Sequence, residues 1–182
     1  MAIMKFVTKN APGSPFQSKY TDEGCYKTLV DYVLNPEKTK GCAGGWAVNL
    51  SCADIEMRLL AKCFHQEHGT RLRHWIVSFS YEELVSLEEQ TRQPCQNILF
   101  RIACALTAYY KDRYQIIFGV HWVNETSPHI HILMNTVSYM DGRKFHSDHT
   151  EYHAYEAYAK RVLRPYRISL HLMKDQAATK ML

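Results

Sequence analysis

Polar and apolar residues alternate at the start of residues 129–137, where His129 and His131 are interleaved with isoleucine before the apolar pattern becomes denser. A period of two is typical of a strand, and it places His129 and His131 on the same face. The apolar stretch at 114–122 predicts a second strand, and the connection at 123–128 is short enough for a hairpin. The hairpin would return His129 to the end of the first strand.

The remaining apolar patterns predict elements on both sides of this hairpin. Strands are predicted at 2–8, 74–79 and 168–173, with a shorter one at 143–146. Helical spacing predicts helices at 23–34, 53–68, 81–92, 94–110 and 150–163. Three glycines within 37–50 indicate a long loop there. This order predicts an α+β fold, with a central, largely antiparallel sheet flanked by helices in a single domain over 1–182.

The composition limits the class of protein without identifying it. The 182 residues have a formal charge of +4, which allows a polyanionic partner but does not require one. The six cysteines lack Cys-x-x-Cys spacing, so we expect reduced and mostly buried thiols rather than a disulfide frame or a zinc knuckle. Neither a leader pattern nor an apolar run of about 18 residues is present, which predicts a cytoplasmic protein without a membrane segment.

Three histidines would converge on one face of the predicted hairpin: His121, His129 and His131. Side chains that face each other across paired strands have Cβ atoms about 4.5–5.5 Å apart. Three imidazoles at that spacing form a candidate site for a divalent metal ion, with positions left open for other ligands. Polar residues on the solvated face of a strand would produce the same His-x-His pattern, so residues elsewhere must decide between the two interpretations.

Three stretches of the chain together resemble the motifs of a known family. Residues 29–39, Leu-Val-Asp-Tyr-Val-Leu-Asn-Pro-Glu-Lys-Thr, are similar to its first motif, and residues 74–79, His-Trp-Ile-Val-Ser-Phe, are similar to its second. The three histidines of the hairpin are similar to its third. In this combination and order, the chain resembles the relaxases, the mobilisation nucleases of plasmids and integrative elements, in the MobP-like branch that also contains the T-DNA border nuclease.

The resemblance implies a relaxase fold and a site- and strand-specific nuclease that nicks an origin of transfer. It implies that Tyr32 is the nucleophile and forms a 5′-phosphotyrosine, and that the three histidines hold Mn²⁺ or Mg²⁺. Tyr26, on the same predicted helix, and Tyr155, which follows the histidines, stay open as alternative nucleophiles. The family often has an acid two residues after its first histidine, where this chain has Val123, with Glu125 two residues later. The resemblance therefore leaves the supporting acid unassigned.

The implied partner is single-stranded DNA at an origin of transfer, with accessory proteins of the relaxosome as further partners. Basic residues at loops and strand ends are candidates for phosphate contacts: Lys38, Lys40, Arg73, Arg143 and Lys144. A rolling-circle replication initiator or a single-tyrosine transposase has the same metal site but places its tyrosine after the histidines. A DNA-binding accessory protein without catalysis is the alternative from another class. His74 is interpreted as a histidine at the end of its strand.

Overall fold

The computed structural model describes residues 1–7, 19–146 and 148–173. Its central sheet consists of the strands β1 Ala2–Val7, β2 Ala43–Trp46, β3 Leu72–Ser78, β4 Tyr114–His121, β5 His129–Ser138 and β6 Leu170–Met173. Across the sheet they follow the order β2-β4-β5-β3-β1-β6, and all neighbours are antiparallel except β1 and β6. This arrangement confirms the predicted α+β class. Thr8, the last residue of the first predicted strand, lies outside the described residues.

Helices cover both faces of the sheet: α1 Cys25–Val33, α2 Pro36–Thr39, α3 Ala53–Cys63, α4 Tyr81–Thr91, α5 Cys95–Thr107 and α6 His149–Leu163. One face, here called the α1 face, packs against α1 and α3 through a cluster that includes Leu133. The other, the α5 face, packs against α4, α5 and α6 through a cluster that includes Ile132. Successive residues of β5 therefore belong to different cores, because strand side chains alternate in direction. No helix in the described ranges is both long and apolar enough to cross a membrane.

β4 and β5 form the predicted hairpin at the centre of the sheet. His121 is paired with His129, and Gly119 is paired with His131. β2 covers the outer side of β4, and β3 covers the outer side of β5. The register therefore places all three histidines at one end of two central strands, where their side chains face α1.

The segment at 37–50 is not the long loop that its glycines predict. It contains most of α2 and the whole of the edge strand β2. Gly44 explains the difference, because a Cβ at this position would lie 2.5 Å from the ring of Phe118. Only a residue without a side chain lets β2 pair this closely with β4. The glycine that indicated a loop is thus a requirement of strand packing, and the loop prediction was wrong.

Two other elements are shorter than predicted. The helix expected over 53–68 ends at Cys63, and His65 has a φ of +54°, which is incompatible with a continuing right-handed helix. The strand expected at 143–146 is reduced to a single bridge between Val137 and Lys144. In both places the local pattern predicts the element, but the chain turns before the element is complete.

The cysteines agree with the sequence in their chemistry but not in their burial. All six are free thiols. Cys25 is buried, Cys63 is exposed and the other four are partly exposed, so the expectation of mostly buried thiols was wrong.

Candidate metal centre and nucleophile

The three histidines at the end of the hairpin converge, as the strand alternation predicts. His121, His129 and His131 each offer one ligand nitrogen, and these atoms all lie within 4.8 Å of one another. The ring centroids of His121 and His131 are 4.4 Å apart, and those of His129 and His131 are 4.7 Å apart. His121 and His131 are buried, whereas His129 is partly exposed, so the centre is accessible from the His129 side.

Backbone carbonyl groups orient two of these three rings. His121 Nε2 donates to the carbonyl oxygen of Val33 at 3.1 Å, and His129 Nδ1 donates to that of Ser127 at 2.8 Å. A carbonyl oxygen can only accept, so the hydrogen of each neutral imidazole is assigned to the nitrogen that faces the carbonyl. The lone pairs that remain for a metal ion are therefore those of His121 Nδ1 and His129 Nε2.

A fourth histidine, from β3, contacts the third ring of the triad. His74 Nε2 lies 2.9 Å from His131 Nδ1, and the Tyr20 hydroxyl lies 3.0 Å from His74 Nδ1. His74 is buried within β3 and does not end the strand, which corrects its interpretation from sequence. The alternation along β3 could have indicated this contact. Strand residues two apart share a face, so His74 lies on the same face as Ile76, and Ile76 is paired with His131.

Two buried nitrogens of the triad have the properties of metal ligands. Among the described residues, His121 Nδ1 and His131 Nε2 have no hydrogen-bond partner. An unpaired buried polar atom costs about 1–3 kcal/mol, so such atoms are uncommon without a functional reason. Burial lowers the pKa of His121 to about 4, and burial with the neighbouring histidines holds the pKa of His131 well below its usual range. Neutral imidazoles with free lone pairs fit a divalent metal ion.

Tyr32 lies on the last turn of α1, against the triad. Its ring centroid is 4.9 Å from that of His131 and 5.5 Å from that of His121. Gly119 permits this approach, because a Cβ there would lie 2.0 Å from the carbonyl oxygen of Val33. The same carbonyl orients His121. The end of α1 therefore fixes a candidate ligand and carries the tyrosine at the same time.

A lysine–glutamate pair flanks the tyrosine, with Lys38 Nζ 2.7 Å from Glu125 Oε1. Burial raises the pKa of the Tyr32 phenol, while the charge of Lys38 opposes that rise and the charge of Glu125 adds to it. The hydrogen bond from Lys38 lowers the pKa of Glu125, and positive charge on His129 or His121 acts in the same direction. Glu125 is thus an acid beside the centre, two residues beyond the position at which the family often has one.

The other two candidate tyrosines have different surroundings. Tyr26 is buried in the core of the α1 face, and burial raises its pKa to about 12. Tyr155 is buried on the α5 face, where its hydroxyl donates to the carbonyl oxygen of Leu106 at 3.4 Å. Among the described side chains, Tyr32 makes ring contacts with the triad and these two tyrosines do not.

Three of the five predicted DNA contacts belong to two parts of the fold. Lys38 lies in α2, Lys40 follows α2, and Arg73 lies in β3. Lys38 flanks the tyrosine of the centre, as described above. Lys40 is exposed, and its amino group pairs with Glu37 at 2.9 Å. Arg73 is partly exposed, and by the alternation of β3 it belongs to the α5 face. Lys38 is therefore the member of this group that the fold brings to the histidines.

The other two predicted contacts follow the far end of β5. Ser138 ends this strand, roughly 30 Å along it from His129 by strand geometry. Arg143 is exposed in the turn beyond. The Lys144 amino group donates to the backbone oxygens of His68 and Thr70. These two cations are thus separated from the triad by the length of the hairpin.

Comparison with known proteins identifies the family of this fold and site. Residues 32–168 match the family model "Relaxase: MobA/VirD2-like, nuclease domain". The match spans more than half of the chain and includes the tyrosine and all three histidines, so the chain belongs to this family of relaxase nucleases. The resemblance of the sequence motifs is thereby confirmed.

A solved structure described as "Molecular Basis of Vancomycin Resistance Transfer in Staphylococcus aureus" is also similar to the chain. The identity is 12%, the TM-score is 0.38, and the alignment covers 74% of this chain and 75% of that one. No curated protein matches the chain significantly.

Proposed function

We propose that this chain nicks one DNA strand at an origin of transfer and keeps the cleaved end as a 5′-phosphotyrosine on Tyr32. The reaction would start conjugative mobilisation of a plasmid or an integrative element. The observation that supports this proposal most is the contact of the Tyr32 ring with a triad of histidines whose buried nitrogens are free to bind a metal ion. The partners would be single-stranded origin DNA and the accessory proteins that expose it.

The metal ion would be held by His121 Nδ1, His129 Nε2 and His131 Nε2. When bound, a divalent ion supplies charge that polarises a phosphoryl oxygen and fixes the phosphate for in-line attack. Three nitrogen ligands favour Mn²⁺ or another transition metal ion over Mg²⁺ on intrinsic affinity. We propose Mn²⁺ or Mg²⁺ as the cofactor, with the cell's supply of each ion deciding between them.

The residue type of Tyr32 suits a reaction that must be reversed later. Its phenol oxygen would bond to phosphorus while the bond from phosphorus to the 3′ oxygen breaks. The phenol proton is released to the medium, and the 3′ oxygen takes up a proton, so the number of phosphate ester bonds is unchanged. A phenol, with an ordinary pKa of about 10, is a better leaving group than a serine hydroxyl. The free 3′-hydroxyl can therefore attack the phosphotyrosine and reseal the strand.

Lys38 would contact the phosphate beside Tyr32 when DNA is bound. Its amino group is paired with Glu125, and this pair holds it next to the tyrosine. The other four predicted cations would contact the DNA farther along its backbone: Lys40, Arg73, Arg143 and Lys144. Phosphate contacts of this kind orient the strand without reading its sequence.

Covalent capture tests the proposal directly. The chain is mixed with Mn²⁺ and a labelled single-stranded oligonucleotide that carries the origin of transfer of its own element. A denaturant-resistant adduct is expected, and peptide mapping should place it on Tyr32. An adduct on Tyr155 would favour the replication-initiator or transposase class. An adduct on Tyr26 would show that the nucleophile is a different tyrosine of α1. Specific DNA binding without any adduct would favour an accessory protein without catalysis.

A further inference from the structure

A buried chain of hydrogen bonds runs from the triad into the protein through His131, His74 and Tyr20. The two contacts are 2.9 Å and 3.0 Å long, and they join side chains from β5, from β3 and from the short turn of helix at Lys19–Thr21. The exposed fractions of these three side chains are 1%, 2% and 3%. Water therefore has little access to these three side chains, and buried polar groups of this kind need partners within the protein.

Such a chain has two possible directions, and they differ in what they allow the triad to bind. In one direction, His131 Nδ1–H donates to His74 Nε2, and His74 Nδ1–H donates to the Tyr20 oxygen. In the other direction, the Tyr20 hydroxyl donates to His74 Nδ1, and His74 Nε2–H donates to His131 Nδ1. A neutral His131 then carries its hydrogen on Nε2, the nitrogen that faces the other two histidines. Only the first direction leaves a lone pair there for a metal ion.

We propose that His74 is a positioning residue that accepts a hydrogen bond from His131 and so keeps His131 in the tautomer that binds metal. The inference rests on the metal centre of the proposed function. It extends that centre by one residue, which the sequence motifs left without a role. Tyr20 is compatible with this direction, because its hydroxyl oxygen can accept the hydrogen on His74 Nδ1.

The choice of a histidine for this position has a consequence for charge. The second ring nitrogen of a metal-binding histidine often donates its hydrogen to a carboxylate, which adds negative charge to the site and makes the ligand more basic. His74 provides an acceptor without that charge. Glu125, the acid that interacts electrostatically with His121 and His129, is already paired with Lys38. The triad would therefore leave the positive charge of a bound ion largely available to a phosphate of the DNA.

The test compares two replacements of His74 in the full chain. His74→Gln keeps an oxygen that can accept from His131, whereas His74→Leu fills the buried space without an acceptor. We expect His74→Gln to bind Mn²⁺ within about threefold of the parent chain. His74→Leu should bind it roughly 10- to 100-fold more weakly, the usual effect of losing such a partner. The dissociation constant is measured from the EPR signal of free Mn²⁺, and His149→Gln, at an exposed position of α6, is the matched control.

A second measurement reports the tautomer itself and does not depend on metal. ¹⁵N NMR of the metal-free chain should show His131 with its hydrogen on Nδ1, and His74→Leu should shift it towards Nε2. Thermal melting of both variants shows whether they remain folded, and His74→Gln provides the comparison if His74→Leu does not fold.

Three results would overturn the inference. One is a folded His74→Leu variant that binds Mn²⁺ as tightly as the parent. Another is a parent chain in which His131 carries its hydrogen on Nε2. The third is a parent chain that binds no Mn²⁺, which would also remove the metal centre on which the proposed function relies. The first two results would leave that function standing.

Discussion

The two faces of the sheet use tyrosine in different ways. On the α5 face, the ring of Tyr155 stacks on that of Tyr110 with a centroid distance of 5.3 Å, and its hydroxyl is bonded to a backbone oxygen. On the α1 face, the ring of Tyr32 contacts two histidines and remains partly exposed. The first tyrosine has aromatic neighbours that it stabilises by packing. The second lies against histidines and is partly exposed to solvent, which suits the nucleophile proposed for it.

The contrast begins within a single strand. In β5, His131 belongs to the α1 face, and the next residue, Ile132, belongs to the core of the α5 face. A strand can therefore contribute to a polar centre and to an apolar core at once, because its side chains alternate. The candidate metal centre thus lies on one face of β5, and the other face of this strand belongs to an apolar core.

The largest effect is expected from removing the phenol oxygen of Tyr32. Tyr32→Phe keeps the ring and its contacts with the histidines, so folding and Mn²⁺ binding should be unchanged. Strand cleavage and the covalent adduct should be lost completely, because the attacking atom is absent. Tyr155→Phe should keep both activities and lose only a little stability. Gel analysis of the labelled oligonucleotide measures both variants, and adduct formation by Tyr32→Phe would disprove the assignment.

Removal of a candidate metal ligand should have nearly as large an effect. His129→Ala should abolish Mn²⁺-supported nicking and weaken Mn²⁺ binding while the chain stays folded, because His129 is the partly exposed member of the triad. Excess EDTA should abolish nicking by the parent chain, and added Mn²⁺ should restore it. His153→Ala, at an exposed position of α6, should behave like the parent. Full nicking activity in His129→Ala or in EDTA would exclude a metal centre at these histidines.

A smaller effect is expected from closing the space between α1 and β4. In Gly119→Ala, the new methyl group would meet the carbonyl oxygen of Val33 at 2.0 Å, so the end of α1 must move. Additional atoms in a packed interior usually cost about 1–3 kcal/mol. We expect a lower free energy of unfolding in urea and slower nicking, because Tyr32 moves with the helix. Gly24→Ala is the control, since its nearest contact would be an ordinary 3.5 Å from Asp22. Unchanged nicking in Gly119→Ala would show that α1 need not dock this closely.

The hairpin was predictable from sequence because its signal is local and periodic. The alternation at His129 and His131 sets the face, and the short connection sets the partner strand. The position of Tyr32 was predictable in part: Pro36 ends the helix just beyond it. How closely the helix approaches the sheet depends on Gly119, which is distant in the sequence. A glycine in a strand does not by itself reveal which element will pack against it.

The side chains that support the centre were harder to predict, because their partners are also distant in the sequence. His74 and Tyr20 are 54 residues apart, and His74 and His131 are 57 apart. The period of two fixes the face of His74 but not its distance from a ring on another strand. Lys38 and Glu125, 87 residues apart, meet only because α2 lies beside the end of β4. Long-range contacts of this kind require the register of the whole sheet.

The smallest predicted effect concerns the charge beside Tyr32. Lys38→Ala and Lys40→Ala each remove one positive charge near α2, but only Lys38 interacts electrostatically with the phenol. If both contact DNA, each should reduce the slope of log affinity against log salt by about 1. At saturating DNA, Lys40→Ala should nick at the parent rate, whereas Lys38→Ala should nick roughly fivefold more slowly, since a partly exposed charge contributes about 1 kcal/mol.

Part of that loss would arise from Glu125, whose charge remains beside the phosphate once Lys38 is gone. The double variant Lys38→Ala with Glu125→Gln separates the two contributions, as in a double-mutant cycle. If Lys38 acts on the phosphate itself, the double variant should still nick more slowly than Glu125→Gln alone. If Lys38 serves only to neutralise Glu125, the double variant should recover the rate of Glu125→Gln. Single-turnover nicking rates distinguish these results, and equal rates would limit Lys38 to holding the acid away from the DNA.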